Sequence, residues 1–240
     1  MKVRFDVFRK KPGASDSYRQ IFEVDIQPGQ DILDAFYKIQ EEHDPSFAFR
    51  YSCRGAICGS CAVRINGTAM LACKTQVLPL ASEGKTIVVD PMGNMPVIKD
   101  LVTDLDDGFW PAYHSVRPYL VRTEDKHEAR LTWTDKITPR NMDQLVRSED
   151  CIKCAACFSD CPKRAKEPTG FIGPQACLQL YKFYWDPRDS DHPWRMGPDC
   201  GASATGPFAC DGYGNCVRVC PKDCRPLMAI NIIRRDIKPK

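Results

Sequence analysis

Residues 151–162 read Cys151-Ile152-Lys153-Cys154-Ala155-Ala156-Cys157-Phe158-Ser159-Asp160-Cys161-Pro162, an unbroken C-x2-C-x2-C-x3-C-P run. A second copy with one change occupies residues 210–221. Cys210, Cys216 and Cys220-Pro221 keep the register, and Tyr213 stands in the slot of the second cysteine. Thiolates at this spacing ligate iron–sulfur clusters, and in paired runs the fourth cysteine of each serves the other run's cluster. Crossing the ligands gives one complete set, Cys151, Cys154, Cys157 and Cys220. It also gives a set short by one thiolate, Cys161, Cys210 and Cys216. Four thiolates hold a [4Fe–4S] cube, whereas three leave a corner iron unheld, so the second centre is expected as [3Fe–4S].

Upstream, Cys53, Cys58 and Cys61 have C-x4-C-x2-C spacing, and Cys73 follows after eleven residues. This is the plant-type [2Fe–2S] arrangement, with three ligands on one loop and the fourth on a neighbouring strand. Gly55, Gly59 and the small Ser60 suit a loop whose N–H groups turn toward cluster sulfur, because glycine has no Cβ to block the turn or the approach. Eleven of the fourteen cysteines are then assigned. Cys177, in Pro174-Gln175-Ala176-Cys177-Leu178, falls on a predicted buried helix. Cys200 and Cys224 are out of register for a fourth ligand to the incomplete set, and all three read as small apolar structural thiols.

Fourteen cysteines in 240 residues are too sparse for a small disulfide scaffold, and a chain of this length buries a core without staples. Met1-Lys2-Val3-Arg4-Phe5-Asp6 has no apolar signal segment, so an oxidising compartment is not indicated. Structural zinc is the competing use of C-x2-C units, but zinc sites separate two such pairs by a longer stretch.

Residues 3–9 and 20–26 alternate as strands, and Asp31 caps a helix expected to reach about Gln40. Cys61–Ile65, Asn66-Gly67 and Thr68–Leu71 form a hairpin that returns Cys73 to the cluster loop, and residues 86–89 add a strand. Pro174 opens a helix ended by Pro187, and Pro226 opens the last one. The fold class is therefore α+β. Its expected parts are residues 1–102 with [2Fe–2S], a Pro-, Asp- and aromatic-rich linker over 103–140, and a helical part over 141–240 with [4Fe–4S] and [3Fe–4S].

No dinucleotide fingerprint, phosphate loop or nucleophile elbow is present, so no catalytic residue is assigned. His43, His114, His127 and His192 are isolated. No apolar run approaches 18 residues, as a spanning helix requires. The net charge is only +3, and aromatics do not interleave with basic residues, so nucleic acid is not an expected partner. Lys163, Arg164 and Lys166 form the one basic cluster, which ordinarily means a solvated face.

An N-terminal plant-type ferredoxin domain of β-grasp fold, followed by an all-α bacterial-type ferredoxin domain lacking one ligand, resembles the iron–sulfur subunits of succinate dehydrogenase and fumarate reductase. The resemblance rests on Ser52-Cys53-Arg54-Gly55-Ala56-Ile57-Cys58-Gly59-Ser60-Cys61, on residues 95–102 (MPVIKDLV), on the double run, on Phe171-Ile172-Gly173-Pro174 and on residues 185–189 (WDPRD). It implies electron relay between a FAD-containing flavoprotein subunit and quinone at a membrane anchor, with or without haem, on the cytoplasmic face. In this resemblance the quinone lies near Pro162, Lys163, Lys166 and Asp211. Ubiquinone-type members carry tryptophans where this chain has Ala165 and Lys166, and histidine where it has Asp211, which favours menaquinone. Two other readings stand beside it. One is the iron–sulfur subunit of a thiol-linked fumarate reductase or glycolate-type dehydrogenase, and the other is a zinc-stabilised binding module.

Overall fold

Strand β1 (Lys2–Lys10) buries Val3, Phe5, Val7 and Arg9 on one face, the period-2 pattern of a half-covered sheet. It pairs antiparallel with β2 (Ser17–Asp25), from Lys2 opposite Asp25 to Lys10 opposite Ser17. The computed structural model describes residues 1–81, 84–122 and 137–237, apart from the side chains of Gln144 and Val146. β3 (Ala62–Ile65) and β4 (Thr68–Leu71) form the expected hairpin. Asn66 and Gly67 have φ of 48° and 80°, the pair of positive values that a type I′ turn requires. β5 (Ile87–Asp90) runs parallel to β1 and antiparallel to β3. The sheet order is β2-β1-β5-β3-β4, with β1 and β5 in the middle.

Helix α1 (Ile32–Lys38) lays Ile32, Leu33, Ala35 and Phe36 into the core. Its capping box is complete, because Asp31 accepts the Asp34 N–H and Asp34 accepts that of Asp31, each at 3.0 Å. The α-helix stops at Lys38 and widens into a π-helical turn over Ile39–His43, so the expected end near Gln40 is met by a different geometry. A short α2 (Val77–Leu80) follows β4.

Structure continues up to and into the stretch expected as a linker, where it is described. β6 (Val97–Lys99) pairs with β7 (Val102–Thr103), and α3 (Phe109–His114) follows. Residues 123–136, including His127, lie outside the described residues. The turn between β6 and β7 is held by Asp100, 1% exposed. Its carboxylate accepts the N–H groups of Lys10 and Ala48 at 3.0 and 2.9 Å and Arg9 Nε at 3.0 Å. A buried charge persists only when paired and hydrogen-bonded, and Asp100 is both.

The chain divides into two units. The first is Met1–Asp107 with Ile152–Asp160, and the second is Gly108–Cys151 with Cys161–Lys240. Ile152–Asp160 contains α5 (Ala156–Ser159) and is bound into the first unit through backbone carbonyls and side chains. Asn94 donates to the carbonyls of Phe158 and Ser159 at 2.7 and 3.0 Å, and the Ala69 N–H donates to Asp160 at 2.9 Å.

The second unit is helical: α4 (Pro139–Glu149), α6 (Pro162–Lys166), α7 (Pro174–Tyr184), α8 (His192–Met196), α9 (Asn215–Arg218) and α10 (Pro226–Asp236). α7 is buried from Pro174 through Tyr181 and packs on Ala229 and Ile233 of α10. Arg195 is fully buried. It grips Asp189 through Nε at 2.7 Å and another nitrogen at 3.0 Å, and donates to the carbonyls of Val116, Arg117 and Tyr119. Among the described residues no helix is long and apolar enough to cross a membrane.

Candidate iron–sulfur sites

The first cluster loop grows out of an aromatic ladder. Phe47, Phe49 and Tyr51 stack with ring centroids 5.3 and 5.7 Å apart, and the Arg54 guanidinium lies 5.0 Å over Tyr37 and 5.7 Å over Tyr51. Beyond it the backbone alternates handedness: Arg54 and Ala56 have φ of 53° and 57°, and Gly59 has 75°. Non-glycine residues in the left-handed region carry strain that folded proteins concentrate at functional sites. Here the strain aims N–H groups at sulfur. Gly55, Ile57 and Cys58 donate to Cys53 Sγ at 3.4, 3.3 and 3.3 Å, and Ala56 donates to Cys73 Sγ at 3.4 Å.

The four thiols form two pairs. Cys61 and Cys73 stand 3.3 Å apart, Sγ to Sγ, and Cys53 and Cys58 each donate a backbone N–H to the other's sulfur, at 3.5 and 3.3 Å. Two pairs fit two irons that take two thiolates each. A structural zinc would instead take all its donors on one ion. Burial opposes ionisation of Cys58, yet hydrogen bonds led by the Ser60 side chain bring its pKa down to about 6. Burial pushes Cys61 up to about 12. Ligation by Cys61 must therefore displace a proton, as metal binding to thiols does.

The double run repeats in the backbone as well as in the sequence. Two and four residues after Cys151, Lys153 and Ala155 have φ of 55° and 62°; two and four after Cys210, Gly212 and Gly214 have 80° and 80°. Four-residue helices then begin in the same register, at Ala156 and at Asn215. The second run uses glycine for both left-handed positions, and the first does not, which is why only half of this repeat is visible in residue types. Cys154 and Cys157 belong to the first unit, and Cys151, Cys161, Cys210, Cys216 and Cys220 to the second.

Within the first unit the two cluster loops touch. A Cβ added to Gly59 would lie 2.6 Å from Cys154 Cβ and 2.8 Å from its Cα. Nothing in the sequence ties Gly59 to Cys154, although a left-handed glycine between ligands marks a place where a Cβ is unwelcome.

In the second unit Cys161 and the fully buried Cys177 share an apolar cluster with Phe171 and Ile230, against which Cys210 packs. Backbone N–H groups of Arg164 and Lys163, at the start of α6, are directed at Cys161. The Gly212 N–H donates to Cys210 Sγ at 3.4 Å. Burial raises Cys161, and it raises Cys216 to about 12. Tyr213, in the slot of the absent cysteine, is 49% exposed. Its hydroxyl accepts from Lys166 Nζ at 2.8 Å, and the ammonium also lies 5.3 Å over the ring. Lys163 pairs with Glu167 at 2.7 Å and lies 3.8 Å from Asp211. Pro162, Lys163, Lys166 and Asp211 therefore share one surface with Tyr213, and its lysines are paired within the chain. Arg164, from the same basic run, is instead buried and donates to the Phe171 carbonyl at 2.7 Å.

Of the thiols left over, Cys177, Cys200 and Cys224 are all buried. Cys224 contacts ligand candidates directly. Its N–H donates to Cys220 Sγ at 3.2 Å. Hydrogen bonds led by the Cys224 side chain lower Cys220 to about 6, and bonding to Cys151 and Cys220 raises Cys224 itself.

Paired thiols on a grasp sheet and a doubled left-handed thiol cradle among helices define an iron–sulfur electron carrier. The family model described as a 2Fe–2S iron–sulfur cluster binding domain matches residues 4–109. The chain is 35% identical over 233 residues to succinate dehydrogenase [ubiquinone] iron–sulfur subunit 3, mitochondrial, of Arabidopsis thaliana, covering 96% of this chain and 73% of the relative. It is 34% identical over 239 residues to the succinate dehydrogenase iron–sulfur subunit of Coxiella burnetii, covering 98% and 97%. Its fold is that of a chain in the Mycobacterium smegmatis Sdh1 complex in the apo form, with a TM-score of 0.82, 22% identity and 98% and 95% coverage. The chain belongs to the family of succinate dehydrogenase iron–sulfur subunits. It is the electron-transfer part of an oxidoreductase.

Proposed function

We propose that this chain relays single electrons between a FAD-containing flavoprotein subunit and membrane quinone, bound peripherally to anchor subunits on the cytoplasmic face. Its centres are [2Fe–2S] on Cys53, Cys58, Cys61 and Cys73, [4Fe–4S] on Cys151, Cys154, Cys157 and Cys220, and [3Fe–4S] on Cys161, Cys210 and Cys216. The observation that carries this reading is the repeated left-handed cradle at Lys153/Ala155 and Gly212/Gly214. Thiols presented with inward N–H groups suit clusters, whose potentials depend on hydrogen bonds to sulfur. The clusters supply one-electron chemistry, and the chain supplies spacing, electrostatics and exclusion of water.

The engaged hydroxyl and outward position of Tyr213 support three thiolates rather than four at the last centre. The quinone surface is proposed at Pro162, Lys163, Lys166 and Asp211. The acceptor is menaquinone in this reading, on the strength of Ala165, Lys166 and Asp211. Ubiquinone is the second reading, because the Arabidopsis relative's name specifies it.

Detergent-solubilised membranes from cells with an affinity tag on this chain provide the test. Co-isolation of a FAD protein, an anchor subunit and extractable menaquinone is the expected result. Recovery of the chain alone from the soluble fraction, with no flavin, would refute the assembly.

A further inference from the structure

We infer that Tyr37 and Tyr51 clamp the Arg54 guanidinium and so hold the [2Fe–2S] loop in its sulfur-facing conformation, which makes the three positioning residues for that centre. The inference rests on the assignment of Cys53, Cys58, Cys61 and Cys73 as its ligands.

Arg54 directly follows Cys53, and its backbone is left-handed at φ of 53°, with Ala56 at 57° two residues on. Around these two turns the N–H groups of Gly55, Ile57 and Cys58 reach Cys53 Sγ at 3.4, 3.3 and 3.3 Å, and that of Ala56 reaches Cys73 Sγ at 3.4 Å. Neither turning residue is glycine, so the loop left alone would relax toward right-handed or extended backbone and carry its N–H groups off the sulfurs. The Arg54 guanidinium lies 5.0 Å over the Tyr37 ring and 5.7 Å over that of Tyr51, and the two rings meet edge-on at 5.0 Å and 77°. Tyr51 leads into the loop. Tyr37 instead belongs to α1, next to Phe36, which is 1% exposed in the core, and it also meets Phe49 edge-on at 5.7 Å. The stack therefore ties the strained loop to a helix outside it.

An arginine lying across one aromatic ring is ordinary on a protein surface, and its worth there is small. This arginine engages two rings from separate segments, and it stands between a ligand and that ligand's first N–H donor. Two such contacts are of the same order as the penalty of one left-handed residue, so the clamp is large enough to decide the loop's resting state. The Tyr37 hydroxyl is buried with no hydrogen-bond partner, so the ring face and not the hydroxyl does the holding. Reduction places more negative charge on the ligand sulfurs, and N–H groups kept on them favour the reduced cluster. A loosened clamp therefore lowers the midpoint as well as the retention of the cluster.

The test uses the purified complex with Arg54→Ala, Arg54→Lys, Tyr37→Leu, Tyr37→Phe, and Arg54→Ala combined with Tyr37→Leu. Potentiometric EPR titration reads the [2Fe–2S] midpoint, and decay of its reduced signal under the ferrous chelator bathophenanthroline disulfonate reads retention. Arg54→Ala and Tyr37→Leu should each lower the midpoint and speed cluster loss about twofold to fivefold, the factor that one such contact is worth. Tyr37→Phe keeps the ring and should match wild type, and Arg54→Lys keeps the cation and should recover most of the loss. The double variant should decay no faster than the more severe single one, because both break the same clamp. The other two centres should not move. Wild-type decay in Arg54→Ala and Tyr37→Leu overturns the inference, as does Tyr37→Phe decaying as fast as Tyr37→Leu. So does a midpoint lowered in Arg54→Ala and unmoved in Tyr37→Leu, since the arginine's charge alone would then explain it. Multiplied effects in the double variant overturn it as well. Failure of the ligand assignment is distinguishable, since wild type itself would then show no reduced [2Fe–2S] signal.

Discussion

Gly59→Ala tests whether the first cluster loop and the Cys154 loop are built to touch. Two penalties apply. At φ of +75° an L-residue loses roughly 1–2 kcal/mol. The new Cβ would also sit 2.6 Å from Cys154 Cβ, where carbon atoms normally rest about 3.5–4.0 Å apart. The loops must therefore separate by about 1 Å, at the roughly 1–3 kcal/mol typical of overpacking. The sum, about 2–5 kcal/mol, is a large part of the roughly 5–15 kcal/mol that holds a domain folded. Gly67→Ala is the matched control, because Gly67 has φ of +80° with nothing within 4 Å of an added Cβ. It should show the conformational penalty alone. Calorimetry of the two holoprotein variants measures the difference, and EPR of the reduced [2Fe–2S] centre reports distortion at Cys58 and Cys61. Equal destabilisation by the two substitutions, with an unchanged EPR line shape, would refute the steric argument.

Cys61→Ser should keep a cluster, because oxygen can replace sulfur, but should shift its potential and EPR line shape; an identical reduced signal would remove Cys61 from the ligand set. Tyr213→Cys restores a fourth thiolate between Gly212 and Gly214 and should convert [3Fe–4S] to [4Fe–4S], slowing transfer to quinone. Iron analysis that finds no additional iron per chain would count against it. Arg195→Met leaves Asp189 charged and buried and strips three carbonyls of their donor. Breaking such a buried pair costs about 3–5 kcal/mol, so thermal denaturation showing under 1 kcal/mol would contradict the role given to it.

The cysteine motifs were legible because their spacing is local: C-x2-C-x2-C-x3-C-P and C-x4-C-x2-C place thiols on single loops. The hairpin was legible for the same reason, since Asn66-Gly67 serves two positive φ values in two residues. What escaped is non-local or runs against residue type. Alternation places Arg9 on the inward face of its strand, where residue type argues against burial, and it is buried because Asp100, ninety-one positions away, supplies its counter-charge. Lys153 and Ala155 give no glycine signal for their left-handed backbones. Asp160 and Asn94 look like loop polar residues, and their hydrogen bonds are what join Ile152–Asp160 to the first unit. Asp100 likewise looks like a loop polar residue, and its bonds to the Lys10 and Ala48 N–H groups hold the turn that precedes the expected linker. Cys224 read as a structural thiol because its register fits no ligand slot, and register carries no information about its backbone N–H, which donates to Cys220 Sγ.

The central claim is that one chain carries three unlike centres and that the last has only three thiolates. EPR of the anaerobically isolated, then oxidised, complex tests it most directly. The account predicts one oxidised [3Fe–4S] signal per chain that disappears on reduction, as separate [2Fe–2S] and [4Fe–4S] signals appear. An oxidised sample without that signal, and with iron for two complete cubes, would mean that Cys177, Cys200 or another group completes the last centre and that the account is wrong.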